Sequence, residues 1–154
     1  MGTYTATVED HLILPARVLQ TQGQEQVFRL TRRPVPAAAF VRLLIDTGSK
    51  RTTLVPGVIR HLQPAVGSSV RVETGLAAGE ATLYWVRLEF PEASLAPIPR
   101  VAVARLLMPP SLATFHGVIG RDLLNCWESL LYEGRRARFT LRDAPSGLWA
   151  WFRR

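Results

Sequence analysis

Phe40-Val41-Arg42-Leu43-Leu44-Ile45-Asp46-Thr47-Gly48-Ser49 is the stretch on which the reading of this chain turns. Phe40–Ile45 is largely apolar and reads as a buried strand. It delivers Asp46 to a strand end, where apolar surroundings raise the cost of ionising a carboxylate. Thr47 adds a β-branched hydroxyl that can brace the turn. Gly48 allows the backbone to approach a ligand closely, and Ser49 brings a second hydroxyl near the carboxylate. A carboxylate held rigidly in a partly dry site is what acid-base chemistry requires. Asp-Thr-Gly-Ser is equally an ordinary strand-ending turn, because Asp, Gly and Ser all favour turns. The tetrapeptide alone leaves both readings open.

Working outward, frequent prolines and glycines separate short apolar segments, a pattern of a mainly β chain with many turns. Upstream, strands are expected at Thr3–Val8, His11–Leu19 and Val27–Leu30, then a loop through Arg32, Arg33, Pro34 and Pro36. Downstream, Thr52–Val55 suits a strand, and Val58–Leu62 suits one or two helical turns stopped by Pro64. Val70 to Phe90 is the clearest hairpin: Val70-Arg71-Val72-Glu73 and Trp85-Val86-Arg87-Leu88-Glu89-Phe90 both alternate apolar with charged residues. Between its arms, Gly75-Leu76-Ala77-Ala78-Gly79 is small and glycine-bounded, as suits a mobile tip. Pro91 to Pro99 reads as a connection and Arg100–Leu107 as a strand broken by Pro109-Pro110. Val118-Ile119-Gly120 leads into a short helix over Arg121–Trp127, and Leu130–Tyr132 with Ala137–Leu141 makes a second hairpin around Glu133-Gly134-Arg135-Arg136. Neither an internal repeat nor a dividing linker is visible, so one domain over 1–154 is expected, with the tail after Asp143 unassigned.

In this order, Leu43-Leu44-Ile45-Asp46-Thr47-Gly48-Ser49, the Gly75–Gly79 tip and Val118-Ile119-Gly120-Arg121-Asp122-Leu123-Leu124 resemble the retropepsin-like aspartic protease family, the single-domain relatives of retroviral proteases. The resemblance spans about Val27 to Leu141, and Val118–Leu124 is similar to bacterial and cellular members at least as closely as to viral ones. It implies a mainly β, dimeric acid-protease barrel with a flap hairpin and one short C-terminal helix. Asp46 would be the catalytic aspartate, facing its symmetry mate. Thr47 would bond across the two-fold axis, and Gly48 would bond substrate backbone. Gly75, Leu76, Ala77, Ala78 and Gly79 would form the flap tip over an extended peptide. Gly120, Arg121 and Asp122 would support the active-site loop from behind. Two departures matter. Lys50 stands where viral members usually have an acid that pairs with the arginine of this motif, so Arg121 needs another partner, Asp122 or a glutamate elsewhere. Ser49 stands where many viral members have alanine, and a hydroxyl donating to the ionised carboxylate would favour an acid-leaning activity profile.

Hydrolysis of an amide by this chemistry needs two carboxylates sharing one proton. The chain contains one Asp-Thr-Gly. Asp122 is the internal alternative, but its Gly-Arg-Asp context suits a supporting role, and two copies meeting at an isologous interface meet the need. A homodimer follows as the expectation.

At 154 residues with 47% hydrophobic and 20% charged residues, the composition is that of a soluble globular protein. No apolar run is long enough to span a bilayer. Met1 to Asp10 is polar and acidic where a signal peptide would be basic and then apolar, so a cytoplasmic location and no membrane are expected. The lone Cys126 excludes an internal disulfide and a cysteine-based zinc cluster, and His11, His61 and His116 share no ligand spacing; no metal or cofactor is expected. The net charge of +7 comes from scattered residues, 18 Arg and a single Lys, so no nucleic-acid partner is expected. Trp127, Trp149, Trp151 and Phe152 read as core or dimer packing, Tyr84 and Trp85 as sheet packing or cleft lining, and Cys126 as a buried thiol. Arg135, Arg136 and Arg138 read as a solvated hairpin. The function read here is endopeptidase; the alternative is a non-catalytic dimeric peptide- or protein-binding module of the same fold.

Overall fold

The computed structural model describes residues 2–8, 10–74 and 77–143, and the side chains outside 72–78. Its strands are β1 (Thr3–Thr7), β2 (Ile13–Gln20), β3 (Ala39–Ile45), β4 (Thr53–Leu54), β5 (Ala65–Thr74), β6 (Ala77–Glu89), β7 (Ile98–Arg105), β8 (Gly117–Ile119), β9 (Trp127–Glu133) and β10 (Arg138–Asp143). The helices are α1 (Gln22–Leu30), α2 (Pro56–Leu62) and α3 (Arg121–Leu124), with short 3-10 turns at Pro110–Leu112 and Gly134–Arg136. None of the described helices is long and apolar enough to cross a membrane.

Strict alternation along β2 sends Leu14, Ala16 and Val18 inward and their neighbours outward. The ladder then runs β2-β3-β8-β4-β7-β6, and β6 returns to β2 through Arg17↔Glu89, Val18↔Leu88, Leu19↔Arg87 and Gln20↔Val86. Six strands thereby close into a barrel. Leu14, Leu43, Leu54, Val86, Val103 and Ile119 are buried in the core. Each such side chain contributes roughly 1.5–3 kcal/mol by leaving water. Pro15 interrupts β2 without cost to this ladder. Ile45 N–H donates to Leu12 O, so by alternation the Pro15↔Arg42 pair exchanges no bonds and the missing N–H faces away from β3.

The β5–β6 hairpin extends past the barrel, and among the described residues β5 is bonded only to β6. A separate sheet, β1-β10-β9, buries Phe139 and Leu141, and packs Tyr4 edge-on against Phe139. Trp127 meets Phe90 edge-on at 5.7 Å between ring centroids, which makes it a core residue.

Two expectations need correction. Val27–Leu30 is the C-terminal half of helix α1, not a strand. Thr21 caps that helix by accepting the Gln24 N–H at 3.3 Å, and Thr-x-x-Gln is the capping-box spacing. Charged residues hold α1 on the closure seam: Arg87 donates to Glu25 at 3.0 Å, and Arg17 lies 3.4 Å from Glu89. The helix expected over Arg121–Trp127 stops at Leu124, because Trp127 opens β9 opposite Asp143. Helix α2 covers the helical turns expected at Val58–Leu62, whereas α1 stands beside the helices that were expected.

Candidate active site

Strand β8 has three residues and lies between two partners, parallel to β3 and antiparallel to β4. It therefore passes beneath the loop that joins them, residues 46–52. Two glycines allow the passage. A Cβ on Gly117 would overlap the Thr53 carbonyl oxygen, and one on Gly120 would lie 2.6 Å from Arg51 O and 2.7 Å from Arg51 N. Here glycine is required for close approach, since neither residue has a positive φ.

Asp46 is the first residue beyond β3, and its N–H still donates to Ile119 O at 3.0 Å. The chain then turns on itself. Ser49 N–H donates to Asp46 O at 3.2 Å, and Gly48 N–H donates to the Asp46 carboxylate Oδ1 at 2.8 Å. A Cβ on Gly48 would sit 3.1 Å from that oxygen, so the glycine gives the carboxylate room to close its own turn.

From below, Arg121 N–H donates to Ser49 O at 2.9 Å and Asp122 N–H to Lys50 O at 3.3 Å. The Asp122 carboxylate receives the Thr52 N–H at 2.9 and 3.0 Å, the Thr52 hydroxyl at 2.8 Å and the Leu123 N–H at 2.8 Å. Thr52 Oγ1 in turn accepts the Gly120 N–H at 3.1 Å. Thr52 is fully buried, so this bonding carries its polar atoms through the core. The structure thus gathers Asp46, Gly48, Ser49, Gly120, Arg121 and Asp122 around one loop. Thr52 was read only as a strand residue; nothing in its local sequence signals a hydroxyl that joins Gly120 to Asp122.

Three local expectations change. Asp46 and Thr47 are exposed in the single chain, not enclosed by apolar neighbours. The Ser49 hydroxyl donates to Arg51 O at 3.0 Å, not to the Asp46 carboxylate, which removes the ground for an acid-leaning profile. Asp122 does not pair with Arg121, because its carboxylate is committed to Thr52 and Leu123. Among the described residues, neither Lys50 nor Arg121 has an ion-pair partner.

The other singled-out residues lie elsewhere. Ala77, Ala78 and Gly79 belong to β6, paired with Thr74, Glu73 and Val72, while Gly75 and Leu76 lie outside the described residues. Trp149, Trp151 and Phe152 lie outside them as well. Trp85 carries the Arg100 guanidinium 3.9 Å from its ring centroid and lines a groove with Thr21 and Val27 of the α1 region. Cys126 is half-buried, its thiol 3.6 Å from Asp122 O; burial first, then the Asp122 charge, pushes the thiol above its ordinary range. Arg136 and Arg138 are paired with Glu133.

Among solved structures, the chain is similar to a retropepsin-like aspartic protease from Rickettsia conorii, with a TM-score of 0.56, 11% sequence identity and 94% of each chain covered. The fold is retropepsin-like. At that identity the likeness concerns the fold alone. No protein-family model matches the sequence, and no curated protein matches it. On a retropepsin-like barrel, the loop bearing Asp46 is held by main-chain bonds from Arg121 and Asp122 and by the buried Thr52 hydroxyl. That leaves the carboxylate fixed by its backbone and open to solvent.

Proposed function

We propose that the chain is an aspartic endopeptidase, active as a homodimer in which Asp46 of each copy supplies one of two facing carboxylates. The observation that carries this reading is the position of Asp46: exposed at a strand end, its carboxylate turned by Gly48 N–H, on a retropepsin-like barrel. Without a metal to polarise the carbonyl, the attack needs an ionised and a protonated carboxyl at the same moment, and the proposed second one comes from another copy. With one proton shared by the pair, the ionised carboxylate takes a proton from water as its oxygen attacks the carbonyl carbon. The protonated one gives its proton to the carbonyl oxygen. As the tetrahedral adduct collapses and the C–N bond breaks, the carboxyl that took the water proton gives it to the departing amine. A hydroxyl of the adduct returns its proton to the other carboxylate, so the pair ends with one proton as it began. A state with both carboxylates ionised, or both protonated, lacks one of these roles, so the rate is bell-shaped in pH.

The β5–β6 hairpin supports an extended peptide as the substrate, lying against the barrel under the hairpin and bonded through its main chain. The test is cleavage of a diverse peptide library across about pH 3 to 8 by the wild type, Asp46→Asn and Asp46→Ala. Loss of at least about a hundredfold in rate is expected for both substitutions. Turnover that survives them unchanged removes Asp46 from the chemistry. Peptide binding with no turnover by the wild type indicates a binding module instead.

A further inference from the structure

The loop that carries Asp46 continues through Lys50 and Arg51, both exposed, and Arg121, bonded to that loop through Ser49 O, is exposed too. Among the described residues none of the three has an ion-pair partner. Asp122, next to Arg121 in the chain, has its carboxylate occupied by Thr52 and Leu123. The acids of the described ion pairs serve other cations: Glu25 and Glu89 pair with Arg17, Arg29 and Arg87, and Glu133 with Arg136 and Arg138. In a chain of net charge +7, Lys50, Arg51 and Arg121 place three exposed cations on and beside the loop that presents Asp46, with no acid paired to them among the described residues.

We infer that this site selects peptides with acidic side chains flanking the bond that lies over Asp46, with Lys50, Arg51 and Arg121 as the residues that set the preference. The inference rests on the peptide-hydrolase reading for the identity of the ligand. Carboxylates suit both cation types: the guanidinium offers a two-pronged fork and the ammonium a mobile point charge. The uncharged backbone of a peptide passes over the Asp46 carboxylate without repulsion, while its acidic side chains reach the cations on either side. A nucleic-acid strand is disfavoured, because its regularly spaced phosphates bring negative charge onto Asp46 itself. Exposed pairs contribute roughly two- to fivefold each in affinity, so two acting together give roughly four- to twenty-five-fold, centred near tenfold.

The test uses the full-length Asp46→Asn protein, which binds without turning over. It measures fluorescence anisotropy with labelled peptides that differ only in carrying Asp, Asn or Lys on either side of the centre. The Asp peptide is expected to bind about tenfold more tightly than the Asn peptide at low salt, the gap narrowing as salt rises. Adding Lys50→Glu with Arg51→Glu is expected to abolish or invert the preference, whereas Arg60→Glu with Arg135→Glu, equal in charge but distant in sequence, keeps it. If the Glu pair fails to fold by circular dichroism, Lys50→Gln with Arg51→Gln is expected to bring the Asp and Asn peptides to parity. Equal affinity for both peptides, absence of binding by either, a preference that survives the loop substitutions, or equal competition by an oligonucleotide of the same charge overturns the inference. Acid-selective binding without wild-type cleavage removes the peptidase reading and leaves this one standing, and cleavage without selectivity does the reverse.

Discussion

Thr52 shows how much of the site depends on one buried hydroxyl. It accepts the Gly120 N–H, donates to Asp122 and lies fully buried. Thr52→Val keeps the shape, but leaves that N–H without its partner and takes one donor from the carboxylate. A loss of about 1–3 kcal/mol in urea unfolding is expected, with Thr52→Ser losing less because the hydroxyl remains. A Val variant as stable as the wild type would show that the hydroxyl bridge contributes nothing net. Asp46, Gly120 and Asp122 were singled out in the sequence through the resemblance their motifs carry, and the fold brings them around one loop. Thr52 was not, since its partners lie just beyond the strand that crosses beneath the loop, 68 residues later for Gly120 and 70 for Asp122. The Ser49 hydroxyl was misjudged for a related reason. A hydroxyl beside a carboxylate in sequence can still turn to a carbonyl, and here it turns to Arg51 O.

Elements were readable where their pattern was local. The β5–β6 arms alternate, and the β9–β10 hairpin sits where its turn residues place it. Helix α1 is hard to read from sequence because Val27-Phe28-Arg29-Leu30 is a short run compatible with either state, while the start signal lies earlier, in Thr21-Gln22-Gly23-Gln24. Closure of the barrel through Arg17–Gln20 and Val86–Glu89 had no local signature, because it joins strands far apart in the chain. The β9–β10 hairpin carries a pH-dependent contact of its own. Arg138's hydrogen bond first, then the Arg138 and Arg136 charges, hold the Glu133 carboxyl below its ordinary range. A depressed carboxylate stabilises the folded form above its unfolded titration range, and that contribution disappears as pH falls through the folded value. Wild type is therefore expected to melt slightly above Glu133→Gln near neutral pH, the two curves converging in acid. A difference that persists or grows in acid would show that the carboxylate charge is not its source. The effect is small because the pair faces water.

At the scale of the whole molecule, the proposed assembly follows from the count of motifs. One chain presents one exposed Asp46 loop on a retropepsin-like barrel, and the proposed chemistry needs two carboxylates. The sequence pointed to this through the single Asp-Thr-Gly alone, whereas the surfaces that would meet are assembled from residues brought together only by folding. If the site is shared, inactive and active copies compete for each other. Mixing wild type with Asp46→Asn at constant total protein, with time for subunits to exchange, makes wild-type pairs in proportion to the square of the wild-type fraction. Activity is then expected to follow that square, so an equal mixture retains about a quarter of the full rate, since a mixed pair has one ionisable carboxylate instead of two. A linear fall, half the rate at an equal mixture, would mean that each copy works alone. The same mixture sediments at twice the 17.2 kDa of the chain if the pairs are stable, and wild-type specific activity falls on dilution where they come apart. The square law therefore separates a shared site from a monomeric one even if the dimer is too weak to isolate.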